Sequence, residues 1–146
     1  MEHWSESQVL DMTFWVLKLA CMGFFAILFL QSGFDKVLDW KGNFSWLQGH
    51  FAKSPLRKMV PFLLGTLTVV EMSTGMLSVT GFLHVLVKRP DFSEFAFMAG
   101  VLALINLLML FFGQRMAKDY VGAAGIVPYF VMAILSLGVQ GLSMIF

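Results

Sequence analysis

Four apolar stretches, residues 12–34, 61–83, 92–112 and 126–146, are each long enough to cross a bilayer, which takes roughly 20 apolar residues. In hydrocarbon every backbone polar group has to be satisfied inside the protein, so stretches of this kind fold as helices. Four of them on short connections predict an all-α integral membrane four-helix bundle, with residues 1–146 forming a single transmembrane domain. Composition points the same way. Hydrophobic residues make up 58% of the 146-residue chain and charged residues 13%, with a mean hydropathy of +0.79. A soluble domain of this length is far less apolar.

The second stretch carries a single formal charge, Glu71, near its middle. At about 1.5 Å per residue, Glu71 lies about 15 Å along the helix from Pro61, close to the bilayer midplane. A carboxylate there costs roughly 2.5–3.5 kcal/mol, so the acid is expected to be neutral unless a cation pairs with it. Thr68, Glu71, Thr74, Gly75 and Ser78 fall on one helical face. Small and hydroxylic residues let another helix approach closely and can hydrogen-bond the acid. Glu71, Thr68 and Thr74 are therefore candidates for binding a proton or a polar ligand. The competing reading is a structural acid that fixes helix packing.

The other stretches supply fewer candidates. In the first, Trp15 suits the membrane interface, and Lys18 is expected to snorkel to it. Ser32 and Gly33 near its end allow close backbone approach, and Lys36 can meet the last carbonyls or a lipid phosphate. Residues 36–60 are too polar to span, yet Phe44, Leu47 and Phe51 recur at i, i+3 and i+7, flanked by Trp46. This predicts a short interfacial helix between spans 1 and 2, started near Asn43 and stopped by Ser54-Pro55, with His50 as an interfacial polar residue. Asp91 and Glu94 read as an acidic capping box opening the third span. Within that span Asn106 shares a face with Ala99 and Ala103 and is expected to hydrogen-bond across helices. The polar connection 113–125 holds Arg115 and Lys118, candidates for contact with lipid head groups or a partner. In the fourth span Tyr129, Ala133, Ser136, Gln140 and Ser143 form a polar stripe expected to look inward, and Tyr129 and Gln140, with Asn106, join the candidates for binding a proton or a polar ligand.

Several function classes fit poorly. A net charge of +1 gives no basic field for nucleic acid. Cys21 is the only cysteine, so one chain holds no intramolecular disulfide and no dithiol relay. No metal-ligand cluster is visible, and His3, His50 and His84 sit outside the apolar cores, which disfavours a haem held between helices. No nucleophile–base pair stands out, so the chain is not expected to be catalytic on its own or to carry a covalent cofactor. Residues 1–11 lack the basic region of a cleaved signal peptide, so the whole chain is read as mature protein. Seven Lys and Arg residues fall on the side of the first and third connections, against Lys88, Arg89 and, near the interface, Lys18 on the other. The bias predicts both termini on the non-cytoplasmic side.

Phe29-x3-Gly33-x2-Lys36 closes the first span, a polar stretch with a short amphipathic helix follows, and the second span opens with Leu64-Gly65 before Glu71 and Gly75. With four spans in so short a chain, these features resemble the DoxX family of small bacterial membrane proteins, best over residues 18–83 and mainly by topology beyond. Some members are similar to the small membrane subunit of thiosulfate:quinone oxidoreductase, and others are linked to oxidative-stress and sulfur or thiol redox assemblies. The resemblance implies an accessory subunit of a larger complex in the bacterial inner membrane, with other membrane subunits or further copies of the chain as partners. Quinone or lipid is the ligand so implied. In that role Glu71, with Thr68, Thr74 and Gln140, would hold a polar head group or carry a proton, and Lys36 and Arg115 would contact lipid or partner. The alternative is a stand-alone small carrier or a membrane protein that binds a lipid or small ligand.

Overall fold

A computed structural model describes residues 4–145; His3 and Phe146, the last residue of the expected fourth span, lie outside the described residues. Five α-helices follow in order: α1 (Glu6–Leu38), α2 (Trp40–His50), α3 (Val60–Lys88), α4 (Glu94–Met116) and α5 (Tyr120–Leu142), with a short 3-10 turn at Pro55–Met59 before α3. Four of them, all but α2, are long and apolar enough to cross a membrane. The chain is a multi-pass membrane helix bundle, and the short α2 stands between the first two long helices. Neighbours in the bundle run α1–α3, α3–α4 and α4–α5, with α5 closing loosely back on α1.

The helices are longer than hydropathy alone predicts, because caps lie outside the apolar runs. α1 begins at Glu6, where Ser5 and Gln8 form a reciprocal capping box. It continues to Leu38, so Lys36 falls inside its last turn. Asp39 alone separates α1 from α2, and its side chain accepts from the Gly42 N–H (3.0 Å), which starts α2 before the expected Asn43. α4 is capped by Ser93, whose hydroxyl accepts from the Ala96 N–H (3.3 Å), and not by the expected Asp91–Glu94 box. Asp119 accepts from the Gly122 N–H (2.8 Å) and opens α5 at Tyr120, so most of the expected loop 113–125 is helical.

Small residues bring the helices together. A Cβ added to Gly75 would lie 2.7 Å from the Leu30 side chain and 3.0 Å from its backbone nitrogen, so α1 and α3 touch there at the backbone. Gly81 does the same for α3 and α4, with the Ala96 nitrogen 2.9 Å from where its Cβ would stand. Ala96, Ala99 and Ala103 are buried on the facing side of α4, together with Phe25, Phe29 and Met22 from α1. This close, alanine-lined seam is the packing a bilayer favours, since apolar burial drives no association between helices there.

Candidate functional site

The last turn of α1 and the middle of α3 place a cation, a hydroxyl and an acid together inside the bundle. Glu71 is 1% exposed and Lys36 13%. Lys36 Nζ lies 2.8 Å from Glu71 Oε2 and donates to Oε1 at 3.1 Å; only the second contact has hydrogen-bond geometry. Ser32, one turn before Lys36 on α1, donates to the same Oε1 (3.0 Å). Lys36 also donates to the Ser32 hydroxyl (2.8 Å) and to its carbonyl (3.1 Å). The ammonium's donors are thus all engaged, while Glu71 Oε2 has a charge beside it and no hydrogen bond of its own. The expected condition for an ionised Glu71, a paired cation, is met by Lys36.

The expected neighbours behave differently. Thr68 and Thr74 share the buried face with Glu71, but their hydroxyls donate back to the Leu64 and Val70 carbonyls, each at 2.7 Å. Ser78 likewise donates to the Thr74 carbonyl (2.7 Å). Serine and threonine inside helices commonly satisfy themselves in this way, which leaves them unavailable to the acid. The partner that sequence reasoning missed as such is Ser32. Its i, i+4 spacing to Lys36 was the available signal, since the two share one face at the end of the first span.

A cavity of about 270 Å³ opens beside the pair, beneath α2. Its wall includes Lys36, Trp46, His50, Leu67, Leu110 and Gln114. His50 Nε2 donates to Gln114 Oε1 (2.8 Å), tying α2 to the end of α4, and Trp46 stacks on the imidazole at 4.6 Å between centroids. His50 therefore holds the roof in place, and Trp46 borders the cavity as well as facing outward. Glu71 stands one turn deeper than Leu67 on α3, and Asn106 one turn deeper than Leu110 on α4. The backbone contact of Gly81 with Ala96 sets the register of these antiparallel helices. Glu71 lies ten residues before Gly81 and Asn106 ten after Ala96, so they share a level. Asn106 is fully buried, and neither of its amide atoms has a partner. The expected cross-helix hydrogen bond is not made. Two helices thus present orphaned polar atoms at the depth of the ion pair, where an unpaired group is costly.

The remaining candidates lie elsewhere. Gln140 is buried with both amide atoms unpartnered, but it sits at the opposite end of the bundle. Ser143, one turn further on, donates to the Asp91 carbonyl there (2.5 Å). Ala133 and Ser136 are buried as expected of the α5 stripe; Tyr129 is 38% exposed and stacks on Phe24 at the α1–α5 seam. Arg115 and Lys118 are exposed; the Arg115 guanidinium lies 4.6 Å over the Tyr120 ring. Lys18 does not snorkel to lipid. It is 3% exposed and donates to the Pro90 and Asp91 carbonyls at 3.0 and 2.5 Å. Comparison with known protein families, with curated proteins and with solved structures finds no match to this chain.

Proposed function

We propose that this chain is a DoxX-like accessory subunit of a quinone-linked complex in the bacterial inner membrane, and that the cavity beneath α2 takes the head group of a quinone. The observation that carries this reading is an apolar cavity with Lys36 on its wall and, one turn deeper, its partner Glu71 and Asn106, both with unpartnered atoms at one depth. A volume of about 270 Å³ is near the lower end for small-molecule sites, which suits a ring whose isoprenoid tail stays in lipid. Neither Glu71 nor Asn106 lines the cavity, so the ring would press one turn past Leu67 and Leu110 to meet them; there Glu71 Oε2 would accept from a hydroxyl of the reduced ring, or the Asn106 amide would donate to a carbonyl of the oxidised one. Leu67 and Leu110 supply apolar walls for the ring, and the Trp46–His50 stack covers it.

Trp46 gives the test. Titrating the purified protein with a short-chain quinone is expected to quench its tryptophan fluorescence, and the part due to Trp46 is isolated by comparison with Trp46→Phe. Asn106→Leu is expected to weaken binding of the oxidised ring, and Glu71→Gln that of the same compound reduced to the hydroquinone, each about tenfold, the scale of one well-made hydrogen bond in a dry site. Quenching that ignores both substitutions, or that is absent, rejects the quinone reading.

The proposed orientation puts both termini outside and α2 on the cytoplasmic side, following the seven Lys and Arg residues at that end. A reporter active only in the cytoplasm, fused after Phe146, is expected to be silent. Strong activity would reverse the topology, and with it the leaflet from which a quinone reaches the cavity.

A further inference from the structure

A second cavity, of about 360 Å³, lies at the other end of the bundle, between the first turns of α1, the α3–α4 connection and the end of α5. The geometry points to a site there for the head group of an amine-bearing phospholipid, with phosphate at its floor and ammonium at its rim. Lys18 is buried at 3% exposure, and its two hydrogen bonds go to uncharged main-chain oxygens. An ammonium has three donors, so one remains. Among the described residues the only ion pair within 4 Å is Lys36–Glu71, so Lys18 is a buried cation without a contacting carboxylate.

A second cation borders the same space. Arg89 ends α3 in the left-handed region (φ 45°), a conformation seldom taken by a residue with a side chain. Its guanidinium lies 4.2 Å over the Trp15 ring, and the Trp15 indole N–H donates to the Val85 carbonyl (3.1 Å). The stack fixes the plane of the guanidinium and leaves its edge N–H groups free for a phosphate oxygen. Asp11 and Asp91 also border the cavity, and both are exposed. Charge is therefore sorted by depth: a cation at the floor, acids at the rim. An anion alone would meet repulsion from the two acids. A head group that carries a phosphodiester and a primary ammonium matches both layers, and Trp4 and Trp15 belong at head-group depth. This site is at the opposite end from the proposed quinone cavity and does not depend on it.

The test is native mass spectrometry of the full chain from vesicles holding equal parts of phosphatidylethanolamine, phosphatidylglycerol and phosphatidylcholine. Wild type is expected to retain phosphatidylethanolamine about tenfold over the other two, the scale of charge-assisted hydrogen bonds. Arg89→Gln is expected to reduce retention of all three, and Asp11→Asn to erase the preference over phosphatidylglycerol while leaving lipid bound. Both side chains are exposed, so neither variant depends on surviving the loss of a buried group, as Lys18→Met would. Equal retention of the three lipids by wild type, retention that Arg89→Gln leaves unchanged, or a preference that Asp11→Asn leaves unchanged, overturns the proposal. Displacement of the lipid by millimolar inorganic phosphate would assign the site to the free anion and overturn it too.

Discussion

Lys36→Met is expected to destabilise the folded bundle by about 3–5 kcal/mol, the usual cost of removing one partner from a buried ion pair. The substitution keeps length and apolar stem but removes the ammonium 2.8 Å from Glu71 Oε2 and three hydrogen bonds with it. What remains is a carboxyl at 1% exposure whose one protein donor is Ser32. Glu71→Leu should cost a similar amount, because it strands the ammonium. Glu71→Gln is expected to cost less, since a Gln oxygen still accepts from Ser32 and Lys36. The double variant Lys36→Met with Glu71→Leu should recover much of the loss, because a buried pair replaced by apolar groups of similar volume is often neutral. Thermal unfolding in one detergent gives the four corners of the cycle. Additive effects of the two single substitutions would show that the contact is not a coupled pair, and the electrostatic account of the site would fall with it.

The cycle also bears on why part of this site is legible in the sequence and part is not. The buried face of α3, from Thr68 through Glu71 and Thr74 to Ser78, follows from helical period alone, and so does the Ala99–Ala103–Asn106 face of α4. Period says which residues face inward; it does not say what they meet. Lys36 reads as an anchor because it follows an apolar run, and its role as counter-ion depends on α1 continuing to Leu38 and crossing α3 at Gly33 and Gly75. The hydroxyls near Glu71 look like ligands until their own i−4 carbonyls are seen to claim them. Lys18 turns inward because the α3–α4 connection, three residues outside any cap, offers it the Pro90 and Asp91 carbonyls, which no helix ladder claims. The α5 stripe is right in phase but meets a looser neighbour at Tyr129, which stacks on Phe24 and stays 38% exposed. In each case the missing information is a contact between stretches far apart in the chain, which no local pattern encodes.

The α1–α3 and α3–α4 crossings are close at Gly75 and Gly81, and Gly81→Ala is the sharper probe of them. A Cβ at position 81 would stand 2.9 Å from the Ala96 nitrogen and 3.0 Å from its Cα. Backbone cannot swing aside as a side-chain tip can, so α3 and α4 have to separate by some tenths of an ångström along the seam. Overpacking of this kind costs about 1–3 kcal/mol. Gly75→Ala faces the Leu30 side chain at 2.7 Å as well as its nitrogen at 3.0 Å, so part of its strain relaxes by a rotamer change. It should fall lower in the same range. Gly138, with nothing within 4 Å, is the control: alanine there is expected to be neutral or to stabilise α5 by up to about 1 kcal/mol. The three variants unfolded in one detergent separate packing from helix propensity, since all three exchange the same two residue types. The Gly81 variant carries a further consequence. The register set at Gly81–Ala96 puts Asn106 level with Glu71, about 15 Å along the helices from the substitution, so spreading the seam should also weaken quinone quenching at Trp46. A Gly81→Ala protein that melts with wild type would mean that the two backbones are not in contact, and the shared level of Glu71 and Asn106 would lose its support.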